Sequence, residues 1–135
     1  MSRSRLRHAT VTLAALATLA TVAACGGDPT ASDLPSGVYQ ARPGITTEEA
    51  DFVIAAGKLG VTVTGESVDD DIETGTTTCW ALDSGGATLA QVAVDDGGRP
   101  LGNEGDALRT KRLMAAGVQT FCPDHDDQIP SLELP

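Results

Sequence analysis

The sequence is poor in basic residues, in histidine, in cysteine and in aromatic side chains. Nine lysines and arginines stand against 19 aspartates and glutamates, which gives a formal net charge of −10 at pH 7. Nucleic-acid binding requires a basic face for the phosphates, and this charge balance argues against it. The two histidines leave little material for histidine-based catalysis or a histidine-rich metal site. A length of 135 residues leaves room for one domain.

The first 24 residues differ in composition from the rest of the chain. Arg3, Arg5 and Arg7 give a positive start, and an uncharged run of alanine, leucine, valine and threonine follows. A basic start followed by a short apolar stretch is typical of a secretory signal peptide. The run is shorter than the about 20 residues that a membrane-spanning helix needs. We therefore expect residues 1–24 to be a cleaved signal peptide.

The end of this segment carries a short motif, Val22-Ala23-Ala24-Cys25. It resembles the lipobox of bacterial lipoproteins, in which the cysteine receives a diacylglyceryl group and becomes the new N-terminus. The resemblance implies that Cys25 is lipidated and holds the chain on the extracytoplasmic face of the cell membrane. Two acyl chains anchor a protein stably, since each buried methylene contributes about 0.8 kcal/mol. The alternative is an ordinary secretory signal, with Cys25 present by chance.

Two cysteines remain when Cys25 is set apart, namely Cys79 and Cys122. Outside the cell an even number of cysteines indicates a disulfide. A metal pair lacks further ligands, because the chain has no C-x-x-C motif and only His125 follows the signal segment. We therefore expect a structural Cys79–Cys122 bridge, and a redox-active pair is the less favoured alternative.

The spacing of apolar residues after the signal segment predicts an all-α fold, a small bundle of three to four helices joined by the disulfide. The first helix is expected to begin after Thr46, because Thr46 and Glu49 fit the S/T-x-x-E capping box. Phe52 lies on its apolar face. Gly57 and Gly60 are typical of a helix end.

A second helix is predicted from about Ser67, as N-cap, to Leu82. Its apolar positions are three and four residues apart, which places Gly75 and Cys79 on one face. Three threonines follow Gly75, and glycine with threonine is poor helix material. We expect the glycine to be tolerated because another backbone approaches the helix there.

The last predicted helix has Asn103 as N-cap and ends before Pro123, because the residue before a proline leaves the helical region. Its apolar face carries Cys122, so the two cysteines point inward from different helices. The opposite side carries three basic residues, Arg109, Lys111 and Arg112. Residues 87–94 are predicted as a short helix, although their valines also suit a strand, and a glycine-rich loop follows over 95–102.

Two segments flank the predicted helical domain, which covers residues 46–123. Residues 25–45 contain three prolines and few large apolar side chains, and they are expected to form a flexible tether. A tether of this kind has a reach of roughly 25 Å. Residues 124–135 are acidic and contain two prolines, so a disordered tail is expected.

An ordered set of residues runs through the predicted domain: Asp51-Phe52, Gly60-Val61, Gly75, Cys79, Leu82 and Phe121-Cys122-Pro123. This set resembles the DUF732 domain, a family of small exported proteins of mycobacteria and related actinobacteria. The similarity covers about Thr46 to Pro123 and implies a small helical domain with the two cysteines bridged. It implies no particular activity. The chain departs from the family pattern in its glycine-rich loop 95–105 and in its threonines at 76–78.

Three features invite a site assignment and are interpreted structurally. The acidic run 69–71 begins like an EF-hand loop but lacks the glycine and the acid required further on, so we attribute it to the N-terminus of the second helix. The cluster 124–127 contains His125 and three aspartates, but an unstructured tail cannot hold a metal or a catalytic base in place. Trp80 is expected to pack beside the disulfide, and stacking on a ligand is the alternative.

Taken together, these patterns predict a cell-envelope lipoprotein with a non-catalytic helical domain that binds a protein or a small molecule. The membrane contact is Cys25, and neither a cofactor, a metal nor a nucleic acid is expected. Two alternatives stay open. One is an envelope enzyme that uses carboxylates in a cleft between helices, and the other is an accessory subunit of an envelope complex.

Overall fold

A computed structural model describes residues 27–135 of the chain. The α-helices of this part are α1 (Val38–Ala41), α2 (Thr47–Lys58), α3 (Val68–Gly85), α4 (Leu89–Val92) and α5 (Gly105–Phe121). Its 3-10 segments are Ala31–Asp33 and Pro123–Leu132. The described residues contain no β-strand, and Val94 and Pro100 form an isolated antiparallel bridge. The predicted all-α bundle of three to four helices with a Cys79–Cys122 disulfide is confirmed.

Two of the predictions fall outside this part of the chain. The signal peptide at 1–24 and the lipidation site Cys25 both lie outside the described residues. From residue 27 onwards, none of the helices combines the length and the hydrophobicity that crossing a membrane requires.

Both ends of α2 follow from its local sequence. The hydroxyl of Thr46 accepts a hydrogen bond from the backbone N–H of Glu49 at 3.2 Å, and the Glu49 carboxylate accepts one from the N–H of Thr46 at 2.9 Å. At the other end Gly60 adopts a φ of +83°, which glycine reaches without steric cost. The N–H of Val61 then bonds the carbonyl of Ala56 at 2.9 Å, as in a Schellman cap. The predicted start and end of this helix are confirmed.

Helices α3 and α5 cross at a pair of glycines, Gly75 and Gly117. A Cβ on Gly117 would lie 2.5 Å from the Cα of Gly75, and a Cβ on Gly75 would lie 2.7 Å from Cε2 of Phe52. Phe52 and Phe121 stack with their ring centroids 5.3 Å apart, and both rings reach the Gly75 side of the crossing. The expected approach of another backbone to Gly75 is confirmed, and that backbone belongs to Gly117.

The buried apolar side chains form two clusters, and α5 contributes to both. The first cluster joins α1, α2 and the first half of α3 to one side of α5, with Phe52 and Leu113 among its members. The second surrounds the disulfide and joins α3, α4 and the C-terminal segment to Met114 and Val118 of α5. Because both clusters share α5, this helix is the central element of the domain.

The prediction of a flexible tether is wrong for its C-terminal half. Val38 is fully buried in the first cluster and Leu34 is almost buried, and Val38 lies in the short helix α1. Gly37 begins α1 with a φ of +88°, and a Cβ on Gly65 would lie 2.7 Å from the Gly37 carbonyl oxygen. The prolines are typical of a loose segment, but two buried apolar side chains, a glycine contact and the ion pairs of Arg42 dock it on the domain.

The prediction of a disordered tail is also wrong. Residues Pro123–Leu132 form a 3-10 segment in which Leu132 is buried, with only 2% of its surface exposed. Ile129 and Leu134 pack against the same cluster. The acidic composition of the tail concealed these three apolar residues, which cover one side of α4 and α5.

Helix α3 begins where the sequence predicts, but its first residue is held differently. Ser67 occupies the N-cap position without capping the helix through its side chain. Its hydroxyl accepts a hydrogen bond from the N–H of Thr64 at 3.0 Å and donates one to Asp71 at 2.8 Å. The cap prediction for Ser67 is therefore wrong, because the hydroxyl takes part in the turn that precedes the helix.

Helix α5 begins one residue later than predicted, with Glu104 instead of Asn103 as N-cap. The side chain of Asn103 instead accepts a hydrogen bond from Lys111. The ambiguous segment 87–94 contains α4, capped by Thr88, and then the isolated bridge at Val94. The helix predicted there is confirmed, although it is only one turn long.

Candidate ligand-binding site

A tight turn after α4, the 94–101 turn, separates two cavities. Its strand-like ends meet at the bridge between Val94 and Pro100. Asp95 holds the turn together, since its Oδ1 accepts hydrogen bonds from the backbone N–H of Gly97 at 2.9 Å and of Arg99 at 3.0 Å. The backbone N–H of Arg99, and after it the guanidinium, lower the pKa of Asp95. A glycine-rich loop is thereby given a defined shape.

The first cavity, called the Lys111 cavity, has a volume of about 260 Å³ and lies between α4, the 94–101 turn, α5 and the C-terminal segment. Five apolar residues form its walls: Ala90, Ala93, Pro100, Leu101 and Leu132. Lys111, Ser131 and Glu133 supply the polar groups. The cavity exists because the C-terminal segment is docked, which the sequence did not predict.

Lys111 is the buried cation of this region. Only 4% of its surface is exposed, and its Nζ donates a hydrogen bond to Oδ1 of Asn103 at 2.5 Å. Within residues 27–135 no carboxylate lies within ion-pair distance of this ammonium. The prediction that Lys111 lies on the charged outer side of the last helix is wrong.

The sequence did contain a signal for the burial of Lys111. It lies three residues after Leu108 and four before Ala115, so it continues the apolar face that ends at Cys122. Its charge, taken alone, predicts the opposite side of the helix. A lysine at an apolar helical position is a pattern that indicates a buried or semi-buried ammonium group.

The second cavity lies on the other side of the 94–101 turn and has a volume of about 270 Å³. Leu101 lines both cavities, and Met114 and three threonines of α3 also contribute to this one. The three threonines, Thr74, Thr77 and Thr78, donate their hydroxyl protons to backbone carbonyls four residues earlier. Their donors are therefore already used, which leaves a weakly polar surface on this side of the cavity.

The acidic run at the start of α3 forms ion pairs inside the domain. Both carboxylate oxygens of Asp71 accept hydrogen bonds from the Arg109 guanidinium at 2.7 Å, and Asp71 is almost fully buried. This contact raises the pKa of Arg109. The pair ties α3 to α5. The run does lie in the first turn of α3, as predicted, but burial and pairing go beyond the helix dipole.

Arg42 makes a second set of ion pairs that fasten the N-terminal segment. Its guanidinium bonds Glu49 of α2 at 2.6 Å and Asp69 of α3 at 2.6 Å. The hydrogen bond from Arg42 is the main reason why the pKa of Glu49 is lowered, and the same contact raises the pKa of Arg42. These carboxylates serve to hold elements together.

His125 is ordered and links three elements. Gln128 accepts a hydrogen bond from the N–H of Leu89 through its Oε1 at 2.7 Å, so its amide nitrogen faces His125 Nδ1 at 3.2 Å. Nδ1 is then the acceptor, and Nε2 carries the proton that it donates to Asp83 at 2.8 Å. Among the described residues no group of three metal-ligating side chains comes together.

Trp80 does not pack beside the disulfide as predicted. It is 69% exposed, because it follows Cys79 by one residue and therefore points about 100° away around α3. Tyr39, at 44% exposure, is the other large apolar side chain that faces solvent in the described part of the chain.

The disulfide is where the sequence predicts it. Cys79 in α3 and Cys122 at the C-cap of α5 are bonded, with their Cα atoms 5.7 Å apart. Both residues belong to the second buried cluster, so the bridge is packed in the core, as is typical of a structural disulfide.

Comparisons of the chain with protein-family models, with curated proteins and with solved structures find no match. The resemblance to the DUF732 domain therefore stays a prediction that depends on the residues quoted above.

Proposed function

We propose that this protein is a cell-envelope lipoprotein, anchored through an acylated Cys25, whose helical domain is a non-catalytic binding module. The motif Val22-Ala23-Ala24-Cys25, placed directly after a basic and apolar start, is the observation that carries the proposal. A lipid at that cysteine replaces the removed apolar segment with acyl chains. The domain then lies outside the cytoplasm and close to the membrane surface.

The disulfide supports an extracytoplasmic location. Stable structural disulfides form in oxidising compartments and are rare where thiols are kept reduced. The Cys79–Cys122 bridge lies in the second buried cluster and joins two long helices. A domain that depends on such a bridge fits the environment to which the signal segment directs it.

The cavities beside the 94–101 turn support a binding role. Ligand sites are concave, mainly apolar, and contain a few polar groups that orient the ligand. The Lys111 cavity has this character, with apolar walls and one buried ammonium. Four carboxylates of the described residues are paired with arginines, namely Glu49, Asp69, Asp71 and Asp95, and Glu133 lines the Lys111 cavity.

Replacing the anchoring residue tests the proposal. The full chain and its Cys25→Ser variant are expressed in a bacterium that processes lipoproteins, and membranes are separated from soluble fractions. We expect the parent chain in the membranes, with a mass that shows acylation and cleavage before Cys25. The variant should leave the membrane fraction, because one unmodified serine provides no apolar anchor.

A double Cys79→Ser, Cys122→Ser variant is the matched control, since it removes two thiols and keeps Cys25. It should stay with the membranes whatever its effect on folding. Unchanged membrane association of Cys25→Ser, or an unacylated mass for the parent chain, would contradict the proposal.

An accessory subunit of an envelope complex is the second candidate, and the exposure of Trp80 favours it. Tryptophan is enriched in the centres of protein interfaces, where its burial contributes strongly to affinity. A photo-crosslinking residue at position 80 should give one discrete adduct in intact cells, whereas the same residue at exposed Gln119 should not. Equal labelling from both positions would remove this candidate.

A further inference from the structure

Lys111 is an unusual residue for a domain of this size, because its charge is buried with little compensation. An ammonium group in a protein interior is expected to have an anionic partner or several hydrogen-bond acceptors. Here Asn103 Oδ1 accepts one hydrogen bond, and no ion pair with a carboxylate is formed within residues 27–135. An ammonium carries three protons that it can donate. Asn103 Oδ1 is the acceptor that the described residues offer to this ammonium, and Lys111 lines the adjoining cavity.

We propose that the Lys111 cavity binds an organic monocarboxylate with a small apolar body, the carboxylate bonding Lys111 and the body contacting the apolar walls. This inference rests on the binding role proposed above and names the chemical class of the ligand. Ser131 lines the same cavity, but its hydroxyl already donates its proton to the Gln128 carbonyl at 2.6 Å, so the donors for the ligand carboxylate come from Lys111.

The charges around the cavity limit the ligand to a single negative charge. Lys111 is the cation that lines the cavity, and exposed Glu133 adds a carboxylate at its edge. The chain as a whole carries a formal charge of −10. Phosphates and dicarboxylates would be repelled by this field, whereas one carboxylate is balanced by Lys111.

The walls and the volume limit the body of the ligand. Ala93, Leu101 and Leu132 present apolar surface, and removal of such surface from water favours an apolar group. The volume of about 260 Å³ lies just below the roughly 300–1,000 Å³ of sites for drug-sized ligands. A ring or a short alkyl chain fits these limits, which points to acids of the size of benzoate or hexanoate.

If Lys111 had a purely structural role, its replacement would have a different effect. In that case Lys111 serves only to hold Asn103 and the loop before α5, and its replacement lowers stability without a ligand effect. Lys111→Met separates the two roles, because methionine keeps most of the apolar stem and removes the buried charge. If the ammonium is present for a ligand, the variant should be at least as stable as the parent chain.

The experiment uses the full chain, purified in detergent micelles and labelled with ¹⁵N. Benzoate and hexanoate are titrated, with benzamide and hexanamide as uncharged controls and empty micelles as the blank. We expect saturable shifts of the amide signals of Ala93, Leu101 and Leu132 with the acids, and at least tenfold weaker binding of the amides. Lys111→Met should weaken binding of the acids at least tenfold, with a melting temperature that is not lowered.

Arg112→Met is the matched control, because it removes the neighbouring cation of α5, which does not line the cavity. It should bind the acids as the parent chain does. Absence of saturable binding of both acids, or equal binding by Lys111→Met and the parent chain, would overturn the inference. Neither result affects the membrane anchoring of Cys25, so failure here is distinguishable from failure of the proposed lipoprotein function.

Discussion

Single atoms decide how closely the two long helices approach. The Cα of Gly75 lies against α5 at Gly117, in a gap that holds hydrogen but no methyl group. Glycine weakens an isolated helix by about 1 kcal/mol relative to alanine. Here that cost is offset by packing of the Phe52 and Phe121 rings against the helix crossing.

Gly117→Ala should therefore destabilise the domain by about 2–3 kcal/mol, because the new Cβ overlaps the Cα of Gly75 and forces the helices apart. Gly57→Ala in α2 is the matched control. A Cβ on Gly57 meets no atom within 4 Å, so the gain in helix propensity should stabilise the domain by about 0.5–1 kcal/mol. Urea unfolding of both variants measures these changes, and an equal effect at the two glycines would contradict the crossing geometry.

At the scale of elements, charged side chains fasten short segments that could not stay folded alone. Helix α1 has only four residues, and Arg42 directly after it bonds Glu49 at the start of α2. Glu49 also completes the capping box with Thr46. One carboxylate thus stabilises the beginning of α2 and the docking of the segment before it.

This double role gives Glu49 a definite dependence on pH. Because its pKa is lower in the folded chain than the ordinary value of 4.5, its contribution is complete above that value and is lost as the pH falls through the folded pKa. Glu49→Gln keeps the cap but loses the charge. We expect it to be less stable than the parent chain by about 1 kcal/mol at pH 7 and nearly equal to it at pH 3.

Thermal unfolding across this pH range gives the measurement. Glu48→Gln is the control, since Glu48 is exposed in the same turn and forms no ion pair with Arg42. A stability gap for Glu49→Gln that is as large at pH 3 as at pH 7 would show that the carboxylate does not act through its charge.

The whole molecule is organised around α5. This helix packs against α2, α3 and the C-terminal segment and separates the two buried clusters. The disulfide fixes its C-terminal end to α3, and the Asp71–Arg109 pair fixes its N-terminal half to the start of the same helix. The disulfide at one end and the ion pair at the other therefore hold α3 and α5 together around a core that contains few aromatic rings.

Reduction of the disulfide should lower the free energy of unfolding by about 4 kcal/mol, because the bridge closes a loop of 43 residues that is otherwise free in the unfolded chain. The melting temperature is to be measured with and without reductant, together with a count of free thiols. A Cys79→Ala, Cys122→Ala variant should melt like the reduced chain and ignore the reductant. An unchanged melting temperature with two thiols exposed to titration would contradict this role of the bridge.

Several elements could be predicted because their causes are local in the chain. The capping box of Thr46, the glycine end of α2 and the stop at Pro123 depend on hydrogen bonds and steric contacts between neighbouring residues. The pairing of Cys79 with Cys122 followed from counting, because one other cysteine stood in a lipobox-like motif.

Other features depend on what lies opposite a residue in space. Nothing local distinguishes Gly117 from a helix-weakening glycine until Gly75 is placed against it. The acidic composition of the tail is typical of an unstructured segment, whereas its apolar residues Ile129, Leu132 and Leu134 dock it on the second cluster. Prediction by composition fails for such segments, since a few buried apolar contacts outweigh many solvated charges.

The sequence alone thus determines both ends of α2, the stop of α5 before Pro123 and the choice of cysteine partners, because each arises from contacts within a few residues or from pairing by exclusion. The Lys111 cavity does not follow from local contacts, and the apolar helical position of Lys111 indicates burial without showing what covers its ammonium. The cavity and this cover arise only when the C-terminal segment, α4 and the 94–101 turn meet around α5. Whether a residue is buried depends on segments that are far apart in the sequence, and these segments meet only in the folded molecule.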